Sequence, residues 1–185
     1  MKTMLMAVIM AVLPFFAASA QDVDKKKMTK KERKIMQDRI DSLYNAEAGK
    51  AIDDTAFVIE ADEVVFKRGY TAHVTSTTNF VAVCGDKAVV QVAFNVPWSG
   101  FNGLGGITVE GNVSRYEKKK DKKGNTYIQM GVSGRAISAQ LFITLWSGGN
   151  KASVNIQQNF YSGRITLNGT MVPAEQSTVF KGTTL

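Results

Sequence analysis

Residues 137–146 read ISAQLFITLW, and this stretch decides the fold class. Apolar side chains occupy every odd-numbered position in it, and Ser138, Gln140 and Thr144 fall between them. Because successive side chains of a strand point to opposite faces, the alternation predicts a strand with one buried face and one wet face. Strands of this kind are typical of antiparallel sheets.

The same two-residue period recurs along the chain. It is found in KAVVQVAFNV (87–96), ITVEGNVSRY (107–116) and ASVNIQQNF (152–160). FVIEADEVVF at 57–66 also alternates, but its apolar positions change from odd to even at residues 62–63, so we expect a β-bulge or a strand break there. The turn sequences CGDK, KDKKGN and SGGN separate the runs, and residues 168–169 (NG) carry a two-residue hairpin signal.

A helix is predicted ahead of the strands, over residues 29–50. Thr29 and Glu32 have the spacing of a capping box, in which each side chain satisfies a free backbone N–H group. An apolar stripe that we expect to dock on the sheet is formed by Met36, Ile40 and Leu43.

One helix followed by an antiparallel meander over residues 57–185 predicts an all-β domain. The architectures that bury every apolar face are a sandwich and a closed or half-open barrel. The alternation alone does not separate them.

The first twenty residues have the organisation of a secretory signal peptide. Lys2 precedes an apolar run, and the segment ends on the small residues of positions 18–20. The run is shorter than the roughly 20 residues of a membrane-spanning helix, and it contains Pro14. We therefore expect cleavage after Ala20, an exported protein without a transmembrane segment, and a charged flexible lead over residues 21–28.

The chain is basic, with a formal net charge of +7 that falls to +6 when Lys2 is removed with the signal peptide. The excess lies in residues 25–50 and in a lysine cluster at 118–123. Since the clusters flank predicted elements, we interpret them as solvated surface and expect no nucleic-acid partner. Anionic lipid and acidic glycan are the alternatives.

The single cysteine, Cys84, has no partner for a bridge within the chain, so it is a free thiol or an intermolecular link. It alternates with Phe80 and Ala82 in an apolar run. This pattern favours a buried, unreactive thiol.

The glycine-rich stretch PWSGFNGLGG spans residues 97–106. A phosphate-binding loop opens a helix, whereas this stretch is followed by the predicted strand ITVEGNV, so we interpret it as a connection between strands. Trp98 and Phe101, with Asn102 beside them, are the candidate residues for binding a ligand or partner.

The sequence carries no recognisable catalytic arrangement. His73 is the only histidine, and the adjacent carboxylates Asp62 and Glu63 point to opposite faces of a strand. We therefore predict no catalytic residues, no metal site and no cofactor.

Residues 57–117, together with the ending NGTMVPAEQSTVFKGTTL, resemble the exported bacterial family known as domain of unknown function 4251. The segments NGLGGITVEG and VFKG carry the most specific part of the likeness. The resemblance implies a periplasmic or envelope location in a Gram-negative bacterium and no established activity.

These observations favour a non-enzymatic binding module for a small apolar ligand, a glycan or an envelope protein. A hydrolase of envelope polymers that uses Asp62, Glu63 or Glu110 is one alternative. An architectural protein held against an anionic surface by its basic lead is the other.

Overall fold

The computed structural model describes residues 28–66, 69–93, 106–134, 138–158, 164–179 and 181. Within these ranges the chain forms one helix and nine strands. They are α1 (Lys30–Asp53), β1 (Ala56–Phe66), β2 (Thr71–His73), β3 (Phe80–Cys84), β4 (Lys87–Ala93), β5 (Gly106–Lys120), β6 (Thr126–Gly134), β7 (Ser138–Leu145), β8 (Lys151–Gln158) and β9 (Arg164–Pro173), followed by a 3₁₀ turn (Ala174–Gln176).

The described strands close into an eight-stranded antiparallel barrel. From β3 to β9 each strand pairs with the next one in the chain, and β1 pairs with both β3 and β9. The short β2 pairs with the second half of β1, beyond the end of β3. Closure leaves no long unpaired edge among the described strands, and it decides between the predicted sandwich and barrel in favour of the closed barrel.

Of the bulge and the strand break that the sequence left open in β1, the bulge is confirmed. The register between β1 and β9 shifts between Ala61 and Glu63, which lets the buried face change from odd to even positions without ending the strand.

The predicted hairpin at residues 168–169 is wrong, because both residues lie inside β9. A Cβ atom on Gly169 would lie 1.9 Å from the carbonyl oxygen of Glu60. The glycine therefore permits a close approach of two backbones at the bulge instead of a turn.

Alternate side chains of the strands fill the barrel, as the sequence predicts. In β7 these are Ala139, Leu141, Ile143 and Leu145, and in β8 they are Ala152, Val154 and Ile156. Full burial of a valine, leucine or isoleucine side chain stabilises the fold by about 1.5–3 kcal/mol.

The last turns of α1 cover one end of the barrel. Ala48, Ala51 and Ile52 belong to the core cluster, and Tyr116 Oη of β5 donates to the carbonyl oxygen of Ile52 at 2.9 Å. Asn45 Nδ2 donates to two carbonyl oxygens of the turn between β7 and β8. This packing carries the helix past its predicted end at residue 50.

The first turns of α1 do not dock as predicted. The capping box of Thr29 and Glu32 is present, but Met36 is 53% exposed and Leu43 is 66% exposed. The prediction failed because the barrel contacts Ala48, Ala51 and Ile52 near the end of the helix, which lie on another side from the stripe. No described helix is both long and apolar enough to cross a membrane.

The chain after β9 lies along the outer surface of the barrel, and we call residues 174–179 and 181 the C-terminal strap. Its 3₁₀ turn contacts β1 and β3. Ser177 Oγ donates to Glu60 Oε1 of β1 at 2.6 Å, and Lys181 forms an ion pair with Glu110 of β5. The strap thus links the outer faces of β1 and β5.

The outer face of β3 corrects the prediction for Cys84. Phe80, Ala82 and Cys84 do share one face, but it is the outer face of the barrel, and Cys84 is exposed at the end of the strand. Only Phe80 at the other end is buried, with 1% exposure.

Candidate functional site

The predicted binding residues Trp98, Phe101 and Asn102 lie outside the described residues. They belong to residues 94–105, which join the end of β4 to the start of β5. At the border of this segment, a Cβ atom on Gly106 would lie 1.8 Å from the carbonyl oxygen of Val92. Gly106 is therefore required for a close approach of the two strands.

A polar groove lies on the outer surface of β5, β6 and β7, and a bulge in β5 shapes it. Ser114 pairs with Gly131 and Glu117 pairs with Gln129, so Arg115 and Tyr116 together lie opposite one residue of β6. Arg115 has a φ of 52°, in the left-handed region that a non-glycine residue enters at a cost of about 1–3 kcal/mol. The distortion lets Tyr116 reach the core while Arg115 stays exposed.

Gly131 forms the floor of this groove, which has a volume of about 260 Å³. In the sheet it lies between Ser114 of β5 and Gln140 of β7. A Cβ atom on Gly131 would lie 2.6 Å from Ser114 Oγ, so a side chain here would displace that hydroxyl and occupy part of the groove. Its polar lining is formed by Ser114, Arg115, Gln129, Ser133, Ser138 and Gln140. We call it the Gly131 groove.

The side chains of Gln129, Ser133 and Gln140 are exposed and make no hydrogen bond to another residue in the part of the chain that the structure describes. The neighbouring outer surface of β8 and β9 differs. There Ser153 Oγ donates to Asn168 Oδ1 at 2.8 Å, and Asn168 Nδ2 donates to Glu63 Oε2 at 2.6 Å. The Gly131 groove thus offers free donors and acceptors beside a surface that satisfies its own.

A second depression of about 490 Å³ adjoins the groove and shares Ser133 with it. Lys87, Glu110 and Asn112 line it. The hydrogen bond from Lys181 and its positive charge hold the pKa of Glu110 below the ordinary value of 4.5. Together the two depressions form a polar path across four strands, from β4 to β7.

The carboxylates considered for hydrolysis have other partners or stand apart. Glu63 accepts from Asn168, Glu110 pairs with Lys181, and Asp62 is exposed on β1. Within the described ranges, no three histidine, cysteine, aspartate or glutamate side chains are grouped to hold a metal ion. His73 lies exposed on β2.

Sequence reasoning missed the groove, although the sequence of β5 contains one signal of it. The inward residues of β5 change from odd at Val113 to even at Tyr116, the same change that predicted the bulge in β1. A second bulge, and hence an exposed Arg115, was open to prediction. The free side chains of Gln129 and Gln140 had no such signal.

Two comparisons with known proteins bear on this site. A family model described as "Domain of unknown function (DUF4251)" matches residues 40–171. The chain belongs to the DUF4251 family. This match confirms the resemblance seen in the sequence, and it spans every residue that lines the Gly131 groove.

The crystal structure of a DUF4251 family protein from Bacteroides eggerthii is similar to this chain. The two are 44% identical, the match covers 77% of this chain and 96% of that chain, and the TM-score is 0.68. The search of curated proteins found no match. The comparisons therefore support the DUF4251 fold and bring no activity to the groove.

Proposed function

We propose that this DUF4251 protein is a non-enzymatic binding module of the cell envelope that holds an acidic glycan in the Gly131 groove. The observation that carries the proposal is the set of unpartnered amide and hydroxyl side chains around a floor without a side chain. A sugar ring presents hydroxyl groups that both donate and accept, which suits amide and serine side chains. The depression beside the groove gives an oligosaccharide room to continue.

The choice of a glycan over a small apolar ligand rests on polarity. Side chains of the core cluster occupy the barrel interior, and the lining of the groove is mostly polar. Arg115 is the one charged residue among those lining the groove, and the described residues provide no ion pair for it. A guanidinium group forms paired hydrogen bonds with a carboxylate, so a sugar acid is the ligand class that fits.

A module that binds without catalysis is supported by the contacts of its carboxylates. Glu63 and Glu110, two of the three carboxylates of the hydrolase alternative, are held by an amide and an ammonium group on the barrel surface. Substitution of each glutamate by glutamine tests binding against hydrolysis, because a hydrolase would lose its activity and a binding module would have none to lose. A glycan-cleaving activity that disappears in Glu63→Gln or Glu110→Gln would support the hydrolase instead.

Export completes the proposal. Residues 1–20 have the charge, apolar run and small residues of a cleaved signal peptide, and the family resemblance implies a Gram-negative envelope. Trp98, Phe101 and Asn102 remain candidates for a second contact with the ligand or a protein partner. N-terminal sequencing of the protein from a periplasmic extract tests the location, and a mature start other than Gln21 would contradict it.

The binding test uses oligosaccharides that contain uronic acids, with neutral oligosaccharides of equal length as the comparison. We expect the acidic set to bind and Arg115→Ala to weaken that binding roughly 10- to 100-fold, as for a lost hydrogen bond to a charged group. Gln140→Ala should weaken the binding of both sets about tenfold or less. Arg164→Ala, which removes an exposed arginine from β9 outside the groove, is the matched control. Equal binding by wild type and Arg115→Ala would overturn the proposal.

A further inference from the structure

The projecting part of α1 presents an apolar stripe that the barrel leaves uncovered. Met36 and Leu43 are more than half exposed, and Ile40 is partly exposed between them. A charged residue continues the stripe at each end, Arg33 before it and Glu47 after it, and both are exposed. The spacing of these five positions alternates between three and four residues. Residues with that spacing form one line along a helix, and paired helices pack along such a line.

We propose that this stripe joins two copies of the chain as an antiparallel helix pair centred on Ile40. Arg33 and Glu47 each lie seven residues from Ile40, in opposite directions. In an antiparallel pair with Ile40 at the centre, Arg33 of one copy faces Glu47 of the other, about 10 Å from the centre, and the contact occurs twice. Met36 then packs against Leu43 of the second copy.

The charges also fix the orientation. A parallel pair in the same register places Arg33 against Arg33 and Glu47 against Glu47, and like charges opposed in this way disfavour pairing. Arg33 Nε donates to the carbonyl oxygen of Met28 at 3.1 Å, which leaves the terminal nitrogens for a carboxylate. Arg39 lies beside the stripe, and its long side chain can turn to solvent.

An anionic lipid surface fits the same stripe less well. Arg33 and Arg39 would be attracted to a surface of negative charge, but Glu32 and Glu47 lie along the stripe as well and would be repelled, whereas a second copy pairs Arg33 with Glu47. The stripe is short, with three apolar side chains per copy, so the expected dimer is of micromolar strength.

The test is sedimentation of the chain from Gln21, the predicted mature start, at about 1 to 100 µM. We expect a dimer at the upper end of this range and a monomer for Leu43→Glu. Arg33→Glu and Glu47→Arg should each weaken association roughly tenfold, and the double exchange of both residues should restore it. Lys31→Glu, an exposed charge reversal outside the stripe, should leave it unchanged. Far-ultraviolet circular dichroism verifies that each variant keeps α1.

Each other outcome overturns the proposal. These outcomes are a monomeric wild type at the highest concentration, a dimer that Leu43→Glu leaves intact, or a double exchange without rescue. If the wild type is monomeric and binds anionic vesicles in a manner that Leu43→Glu abolishes, the stripe is a membrane contact.

Discussion

The outer side of the barrel has two polar regions in which glutamine side chains have opposite environments. Near the C-terminal strap, Gln91 of β4 is fully buried, donating to the carbonyl oxygen of Thr78 at 3.0 Å and accepting from Thr108 Oγ1 at 2.8 Å. In the Gly131 groove, Gln129 and Gln140 are exposed and make no hydrogen bond to the described part of the chain. The difference lies in what surrounds each amide, because the residue type and the strand geometry are the same.

This contrast separates structural polar groups from those available to a ligand. A buried amide must find partners within the protein, because leaving one of its groups unpaired costs about 1–3 kcal/mol. An exposed amide bonds to water and can exchange that water for a ligand at little cost to stability. The region with unbonded amides is therefore the better candidate for binding, and the buried amide near the strap serves the stability of the fold.

The largest expected effect distinguishes Gln91 from Gln140. Gln91→Ala should lower the free energy of unfolding by about 2–4 kcal/mol, since it leaves a cavity and removes the buried hydrogen bonds of the Gln91 amide to Thr78 and Thr108. Gln140→Ala should change it by no more than about 0.5 kcal/mol. Urea unfolding of both variants provides the measurement. Similar values for the two would show that the contrast between the regions is false.

The second prediction concerns the floor of the groove. Gly131→Ala should lower the free energy of unfolding by about 0.5–1.5 kcal/mol, because Ser114 must turn its Oγ away from the new methyl group. Gly149→Ala is the matched control, since a Cβ atom there has no neighbour within 4 Å. Adding Ser114→Gly to Gly131→Ala removes the overlapping atom and should recover most of the loss. An unaffected Gly131→Ala protein would mean that the floor tolerates a side chain.

Much of the barrel was open to prediction because its cause is local. Alternation in β7 and β8 follows from the geometry of a strand, and the change of phase at residues 62–63 requires a bulge or a strand break in any sheet. The capping box of Thr29 and Glu32 depends on only four consecutive residues. Each of these features is determined by the sequence of a single helix or strand.

The failures came from contacts between distant parts of the chain. Cys84 is exposed because the face it shares with Phe80 is the outer face, which alternation alone cannot assign. The helix docks through Ala48 and Ile52 near its C-terminal end, and the stripe that contains Met36 and Leu43 lies on another side and stays exposed. The amides of the groove are free because no other described part of the chain covers them, and a local sequence pattern does not contain that information.

The smallest predicted effect concerns Tyr116. Its side chain is half buried, so its exposure lies between that of Gln91 and that of Gln140. Its hydroxyl donates to the carbonyl oxygen of Ile52 at 2.9 Å and joins β5 to the end of α1. Burial, and then the negative charge of Asp53, raise the pKa of Tyr116 from its ordinary value of 10.0 to about 12. Tyr116→Phe keeps the ring and should lower the free energy of unfolding by about 1 kcal/mol at neutral pH.

The raised pKa of Tyr116 also predicts how the effect of Tyr116→Phe on stability changes with pH. Below pH 10.0 the hydroxyl of Tyr116 is neutral in both states, and its contribution to stability is fully present. Between pH 10.0 and about 12 the unfolded chain loses the proton while the folded chain keeps it, so the contribution falls as the pH rises. The gap between wild type and Tyr116→Phe in urea unfolding should therefore narrow over this range. Lysine deprotonation affects both proteins equally, so a gap that stays constant would show that Tyr116 is not held neutral by its surroundings.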